Sequence, residues 1–295
     1  MRPASLTPIC LVALCFGCAS HQQFHTRPAI LTTHVAREAG LTATQQKQVA
    51  NLCFMGMPTR RDAILGPSEF IFRDGYVLEH SSLDKIPFWV CEHVKNNQLG
   101  SDAERSDRFK TDPDLHGPKS TPADYERSGY DRGHQQPAAD EGQNQTLQDQ
   151  TFYMSNMAPQ VPNFNRNAWK SLETLTRTWV TQFSEAWVFT GPVFYDPKED
   201  NPATADGTVA YFIIGPDGVA VPTHFYKIVI VKDHDEFKSI AFVMPNVKTY
   251  KSPYHLEQYI QSVDWIEKHT ALRFMPDLTA AQAVQLKNSK SPMWQ

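Results

Sequence analysis

The chain has 295 residues with 41% hydrophobic and 11% aromatic content. That is enough apolar side chain to bury a substantial core without staples, as one large domain or two small ones. A formal charge of −4 and a pI near 6.3 exclude a protein that coats nucleic acid through bulk positive charge, though not a local basic cleft. No apolar run reaches the roughly 18 residues that a membrane span demands.

Residues 1–19 read as an export signal, with Arg2 as its positive end and residues 6–16 as its apolar stretch. Gly17-Cys18-Ala19 satisfies the small-x-small rule for ordinary cleavage, and Gly17-Cys18 also resembles the end of a lipoprotein signal, with Cys18 as a lipid anchor. An uncleaved anchor is a third reading. The chain is expected to be exported, whether periplasmic, lipid-anchored or secreted. Of five cysteines, Cys10, Cys15 and Cys18 fall in this leader, leaving Cys53 and Cys91 in the body. Two cysteines in an exported chain invite one disulfide; the alternative is two separate buried thiols.

Residues 20–45 are polar and proline-containing, a linker leading to a helix over 42–52. Strand patterns follow at 70–72, 75–78 and 86–94. The charged, proline-broken stretch 95–130 reads as a long surface loop, of the kind that tends to be functional. Asn165 caps a helix signal in which Trp169, Leu172, Thr176, Trp179 and Phe183 recur at helical spacing. Strand runs return at 186–190, 210–214, 224–231 and 239–243, punctuated as turns by Gly191-Pro192, Gly215-Pro216-Asp217-Gly218 and Pro245-Asn246. A last helix is expected over 262–269 and a tail over 281–295. The pattern predicts an α+β domain over 46–280, a mostly antiparallel sheet flanked by helices.

Asp131-Arg132-Gly133-His134 and the stretch from Asn165 to Glu173 supply the parts for cutting a phosphodiester. His134 can take a proton from water because imidazole titrates near neutral pH, and Arg132, two residues away, shares its side of an extended segment. Gly133 lets the backbone turn or approach substrate closely. The amide oxygen of Asn165 is a hard neutral donor for Mg²⁺, which keeps most of its waters and needs few protein ligands. Glu173 and Arg177 are spaced i to i+4 and face the same way, fit for metal water and phosphate or for a surface ion pair. Either short motif alone is as consistent with a turn or a helix cap as with a site. His21, His25, His116, His224, His234 and His255 form no zinc cluster in the sequence.

Taken together, residues 127–134, 151–160 and 165–173 resemble the DNA/RNA non-specific endonuclease family, the ββα-metal (His-Me finger) nucleases that include secreted bacterial nucleases and mitochondrial endonuclease G. The flanks at 86–90, 190–193, 222–227 and 262–267 look like family landmarks too, so the resemblance covers about residues 50–277. It implies a ββα-metal motif with His134 as general base and Asn165 as the sole direct protein ligand of Mg²⁺, with Mn²⁺ as a substitute. It further implies that Glu173 acts through waters of the cation, that Arg132 contacts the scissile phosphate, and that Asp131 supports the site. Asn156, Gln160 and Arg177 match family positions that would face substrate, and an upstream phosphate-binding arginine would be Arg105 first or Arg108 second. Gln135-Gln136 departs from the apolar residues that relatives often carry there.

The expected activity is Mg²⁺-dependent, sequence-non-specific hydrolysis of DNA and RNA to 5′-phosphate products. Alternatives are a catalytically silent nucleic-acid binder on the same fold and a phosphodiesterase for small nucleotides. Intact His134, Asn165 and Glu173 oppose the silent reading. A homodimer is compatible with the sequence.

Overall fold

The computed structural model describes residues 23–28, 40–61 and 66–294; the leader expected over 1–19 and His21 lie outside them. In chain order the elements are β1 (Gln23–Pro28), α1 (Ala43–Leu52), β2 (Thr59–Arg60), β3 (Ser68–Phe72), β4 (Val77–Ser81), β5 (Pro87–Lys95), α2 (Pro122–Tyr125), β6 (Asp131–His134), α3 (Gln145–Gln150) and β7 (Met157–Gln160). The second half runs α4 (Lys170–Phe183), β8 (Glu185–Val193), β9 (Thr208–Ile214), β10 (Val219–Val221), β11 (His224–Asp233), β12 (Glu236–Pro245), β13 (Ile260–Gln261), α5 (Val263–Thr270), β14 (Leu272–Arg273) and α6 (Ala280–Lys287).

Seven strands form one antiparallel sheet in the order β13-β12-β11-β8-β5-β4-β3. Its central strands read as continuous apolar runs because both faces are covered. On one face Phe225, Val229 and Val231 of β11 pack with Trp169, Leu172 and Trp179 of the α4 region. On the other, Tyr226, Ile228 and Ile230 pack with Leu52, Ile266 and Leu286 from α1, α5 and α6. The same alternation on β5 turns Cys91 toward the second face, where it is bonded to Cys53 with the two Cα atoms 5.4 Å apart. The α1 helix starts where expected, with Thr42 Oγ1 accepting from Gln45 N and Gln45 Oε1 accepting from Thr42 N.

Three local expectations are corrected and one is refined. The 20–45 stretch is more than a linker: β1 lies antiparallel against β9, and Arg27 pairs with Asp84 at 2.5 Å while its guanidinium sits 3.4 Å from the Phe194 ring centre. Gly191-Pro192 is interior to β8, not a turn; a Cβ at Gly191 would fall 2.4 Å from the Tyr226 hydroxyl, which crosses there to donate to Phe88 O. The 95–130 loop is anchored inward, since buried Asp112 accepts two 2.7 Å bonds from Arg73 Nη2 and also a bond from Ser155 Oγ. In the expected tail, Leu286 is buried and Trp294 packs edge-on against Trp179.

Candidate active site

The site is built on a hairpin and the helix that follows it. β6 and β7 pair antiparallel with His134 opposite Met157 and Asp131 opposite Gln160. The chain then enters a π-helical turn, Phe164–Trp169, that runs straight into α4. Such turns are frequent at functional sites. Asn165 is not the helix cap expected from its residue type. Its own N–H already donates to Val161 O at 2.9 Å, so the helix begins before it and the side chain is released from capping.

A cleft of about 560 Å³ opens between this helix, β6 and the loop around Arg105. His134, Arg132, Asp131, Asn165, Glu173, Arg177 and Arg105 all line it. Asp107, Phe109, Tyr130, Arg166 and Lys170, which the sequence motifs did not single out, line it as well.

His134 is packed edge-on against Phe152 and Phe109, with ring centres 4.9 and 5.7 Å away. Its Nε2 is enclosed without a hydrogen-bond partner among the described residues. Burial, reinforced by the nearby Arg105 charge, pushes the imidazole down to about 3. The ring is therefore neutral at physiological pH, the state a proton acceptor needs. Arg132 is braced by an Nη2 bond to Pro122 O at 3.0 Å and lies 5.1 Å from the Phe109 ring centre.

Asp131 does not face the cleft as a free acid. Its Oδ2 accepts from Asn165 Nδ2 at 2.9 Å and from Arg166 Nε at 2.8 Å, and its Oδ1 accepts from Arg166 Nη2 at 2.6 Å. A carboxylate that only accepts fixes the amino end of the Asn165 amide and leaves its oxygen for a cation. Among the described residues, no three His, Cys, Asp or Glu side chains are grouped to hold a metal. The donor set instead suits a hard cation that keeps most of its waters: one amide oxygen, with the Glu173 carboxylate on the same wall.

Glu173 makes no ion pair among the described residues. The i to i+4 pairing with Arg177 is replaced by a longer-range one, in which Arg177 Nη1 donates to buried Asp140 Oδ1 at 2.9 Å. Burial raises Glu173 to about 7, with Lys227 and Arg177 opposing the rise and Asp140 adding to it. Behind it lie charges that the motifs missed. Lys227, 1% exposed, donates to Thr190 Oγ1 at 2.7 Å and sits 5.2 Å from the Trp169 ring centre. Glu92, 2% exposed, is held well above the usual carboxylate range by burial and by Asp140. A signal for both was present: each is a charge interrupting an apolar run on a strand covered on both faces.

Asn156 and Gln160, expected to face substrate, are fully buried. Asn156 braces the chain leaving His134: its Nδ2 donates to Gln136 O and Thr151 O, and its Oδ1 accepts from Gln136 N. Gln160 lies across Gly133, where an added Cβ would fall 2.2 Å from its Oε1. Gly133 thus makes room for Gln160 rather than for substrate or a turn. Gln135 and Gln136 are buried too, and Gln136 Nε2 donates to Gly75 O and Glu141 Oε1. Arg105 lines the cleft with its Nε held by Asp107 Oδ1 at 2.7 Å, whereas Arg108 lies in an adjoining depression.

A hairpin ending in a histidine, backed by a helix that presents an asparagine to the same cleft, defines a ββα-metal nuclease. The pattern of DNA/RNA non-specific endonucleases matches residues 63–281. Human mitochondrial Endonuclease G is 36% identical over 220 residues, 73% of this chain and 72% of that one. Nuclease C1 of Cunninghamella echinulata var. echinulata is 40% identical over 221 residues, 71% of this chain and 84% of that one. A chain in the crystal structure of the EndoG/EndoGI complex superposes with a TM-score of 0.71 at 32% identity, covering 84% of this chain and 96% of that one. This chain belongs to the DNA/RNA non-specific endonuclease family, one of metal-dependent nucleases, and is a hydrolytic enzyme that cleaves nucleic acid.

Proposed function

We propose that the protein is a Mg²⁺-dependent endonuclease that hydrolyses DNA and RNA with little sequence preference, leaving 5′-phosphates, and that it acts outside the cell that makes it. The observation that carries this reading is the shared cleft: a neutral, enclosed imidazole, an amide whose oxygen is left free, and arginines line one wall or the other.

Nε2 of His134 is enclosed, so Nδ1 is the nitrogen that meets water in the cleft and takes its proton as the oxygen attacks phosphorus. Arg132, fixed by Pro122 O and stacked near Phe109, and Arg105, fixed by Asp107, meet the non-bridging phosphate oxygens. Asp131 keeps Asn165 in register, and Glu173 holds water on the same wall. A divalent cation held by Asn165 Oδ1 would supply positive charge for the negative charge developing on the phosphate and leaving oxygen. Contacts made to phosphate carry no sequence information directly, which accounts for a lack of preference.

Supercoiled plasmid and RNA, incubated with the protein in Mg²⁺ or in excess EDTA beside His134→Ala, test this. Degradation should require the cation and fall by roughly 10²- to 10⁴-fold in the variant. A well-folded protein that binds both polymers and cuts neither would sink the reading.

A further inference from the structure

Asn165 and Arg166 are consecutive in the chain, yet both donate to the one carboxylate of Asp131. Asn165 Nδ2 reaches Oδ2 at 2.9 Å, Arg166 Nε reaches the same Oδ2 at 2.8 Å, and Arg166 Nη2 reaches Oδ1 at 2.6 Å. Neighbours on an α-helix do not face a common group. These two lie in the π-helical turn Phe164–Trp169, where the winding differs.

The three side chains are placed differently. Asp131 is 15% exposed and Asn165 is half-buried, whereas Arg166 is 68% exposed and lines the cleft. Among the described residues, Arg166 bonds through its side chain to Asp131 and to no other group. An exposed arginine in such a cleft has the type of a phosphate contact, but the donors of this one are engaged in the fork by which a guanidinium takes a carboxylate. Turning the Asp131 carboxylate about its own axis would break all three bonds together.

We propose that Arg166 is a positioning residue of the cation site: it holds the Asp131 carboxylate, which holds the Asn165 amide, and it does so from the solvent side without touching substrate. This rests on the reading above that Asn165 Oδ1 holds the cation. Charge alone predicts the opposite sign. A guanidinium on the carboxylate beside the ligand repels a divalent cation and offsets the Asp131 charge that would attract it, so its removal should tighten binding. Positioning predicts weaker binding, because a carboxylate without its fork can turn and release the amide.

Calorimetric titration with Mn²⁺ in the absence of nucleic acid reads the difference. Arg166→Met removes the charge and both donors, and is expected to weaken Mn²⁺ binding by roughly three- to tenfold, less than the loss of a direct partner of a metal ligand. Arg166→Lys keeps the charge without the fork and should fall between Arg166→Met and the wild type. In an Asp131→Ala background, Arg166→Met should cause no further weakening, since nothing remains for the guanidinium to hold. Unchanged or tighter binding in Arg166→Met, or the same loss in the Asp131→Ala background, overturns the proposal. An Asn165→Ala protein that binds Mn²⁺ as the wild type does overturns instead the ligand reading on which it rests.

Discussion

Asn165 Nδ2 donates to Asp131 Oδ2 at 2.9 Å, across 34 residues of chain, and the acceptor is itself clamped by two bonds from Arg166. The bond decides which end of the amide meets the cleft, because a carboxylate has no proton to offer in return. Asp131→Ala should free the Asn165 amide to rotate and weaken cation binding by roughly 10- to 100-fold, the range found when partners of metal ligands are removed. Calorimetric titration with Mn²⁺ measures this without reference to turnover. An unchanged affinity would mean that Asp131 does not orient the ligand.

Gly133 and Gln160 form a second coupled pair, since the glutamine side chain occupies the space where any Cβ at Gly133 would project. Gly133→Ala is expected to destabilise the fold by about 1–3 kcal/mol through overpacking. Gly133→Ala with Gln160→Ala should recover most of that loss. Urea midpoints of the two single variants and the double variant form the cycle; additivity would show that the clash lies elsewhere.

Burial raises the Glu173 carboxyl to about 7, so it gains its proton as pH falls through neutrality. The ionised form is the one able to hold water at a cation. At subsaturating Mg²⁺, kcat/KM should therefore fall as pH drops below about 7, and added Mg²⁺ should move this limb to lower pH because cation and proton compete. Glu173→Gln should abolish the limb. His134, held near 3, is neutral throughout this range and should not contribute to it. pH profiles at two Mg²⁺ concentrations decide the matter, and a limb insensitive to Mg²⁺ would assign it to another group.

His80, on β4 and 1% exposed, is pushed down to about 4 by burial. As pH falls below about 6.5, the unfolded chain takes up a proton that the folded one refuses, so stability declines between about 6.5 and 4. The contribution of this residue amounts to about 3 kcal/mol over the whole window, at about 1.4 kcal/mol per unit. His80→Gln should flatten the decline in unfolding free energy between pH 7 and 5 relative to the wild type. A wild-type slope that survives the substitution would place it on other groups, such as His224, which burial also lowers to about 4.

The residues that line the cleft were legible where the chemistry lies in residue type and local order. His134, Arg132, Asn165 and Glu173 could be picked from two short stretches; the resemblance to a nuclease family added their expected roles and pointed to Arg105. What misled was taking from the resemblance that Asn156 and Gln160, in residues 151–160, face substrate. Both are fully buried, where they brace the hairpin from behind. Asn165 has the type of a cap and sits inside the helix. Gly191 has the type of a turn residue and sits inside a strand, because a tyrosine hydroxyl passes where its side chain would be.

By itself the sequence determined the strand runs, the amphipathic helix after Asn165 and the kinds of groups available for phosphodiester chemistry, since these follow from spacings of a few residues. The tertiary structure decided the partners. Arg177 turns to Asp140 instead of Glu173, Arg166 clamps Asp131, and Lys227 is buried beneath the site beside Thr190. Such pairings join residues 35 to 37 positions apart in the chain. Their energetics depend on burial and on which face of the sheet each strand presents, quantities that exist only once the chain has closed on itself.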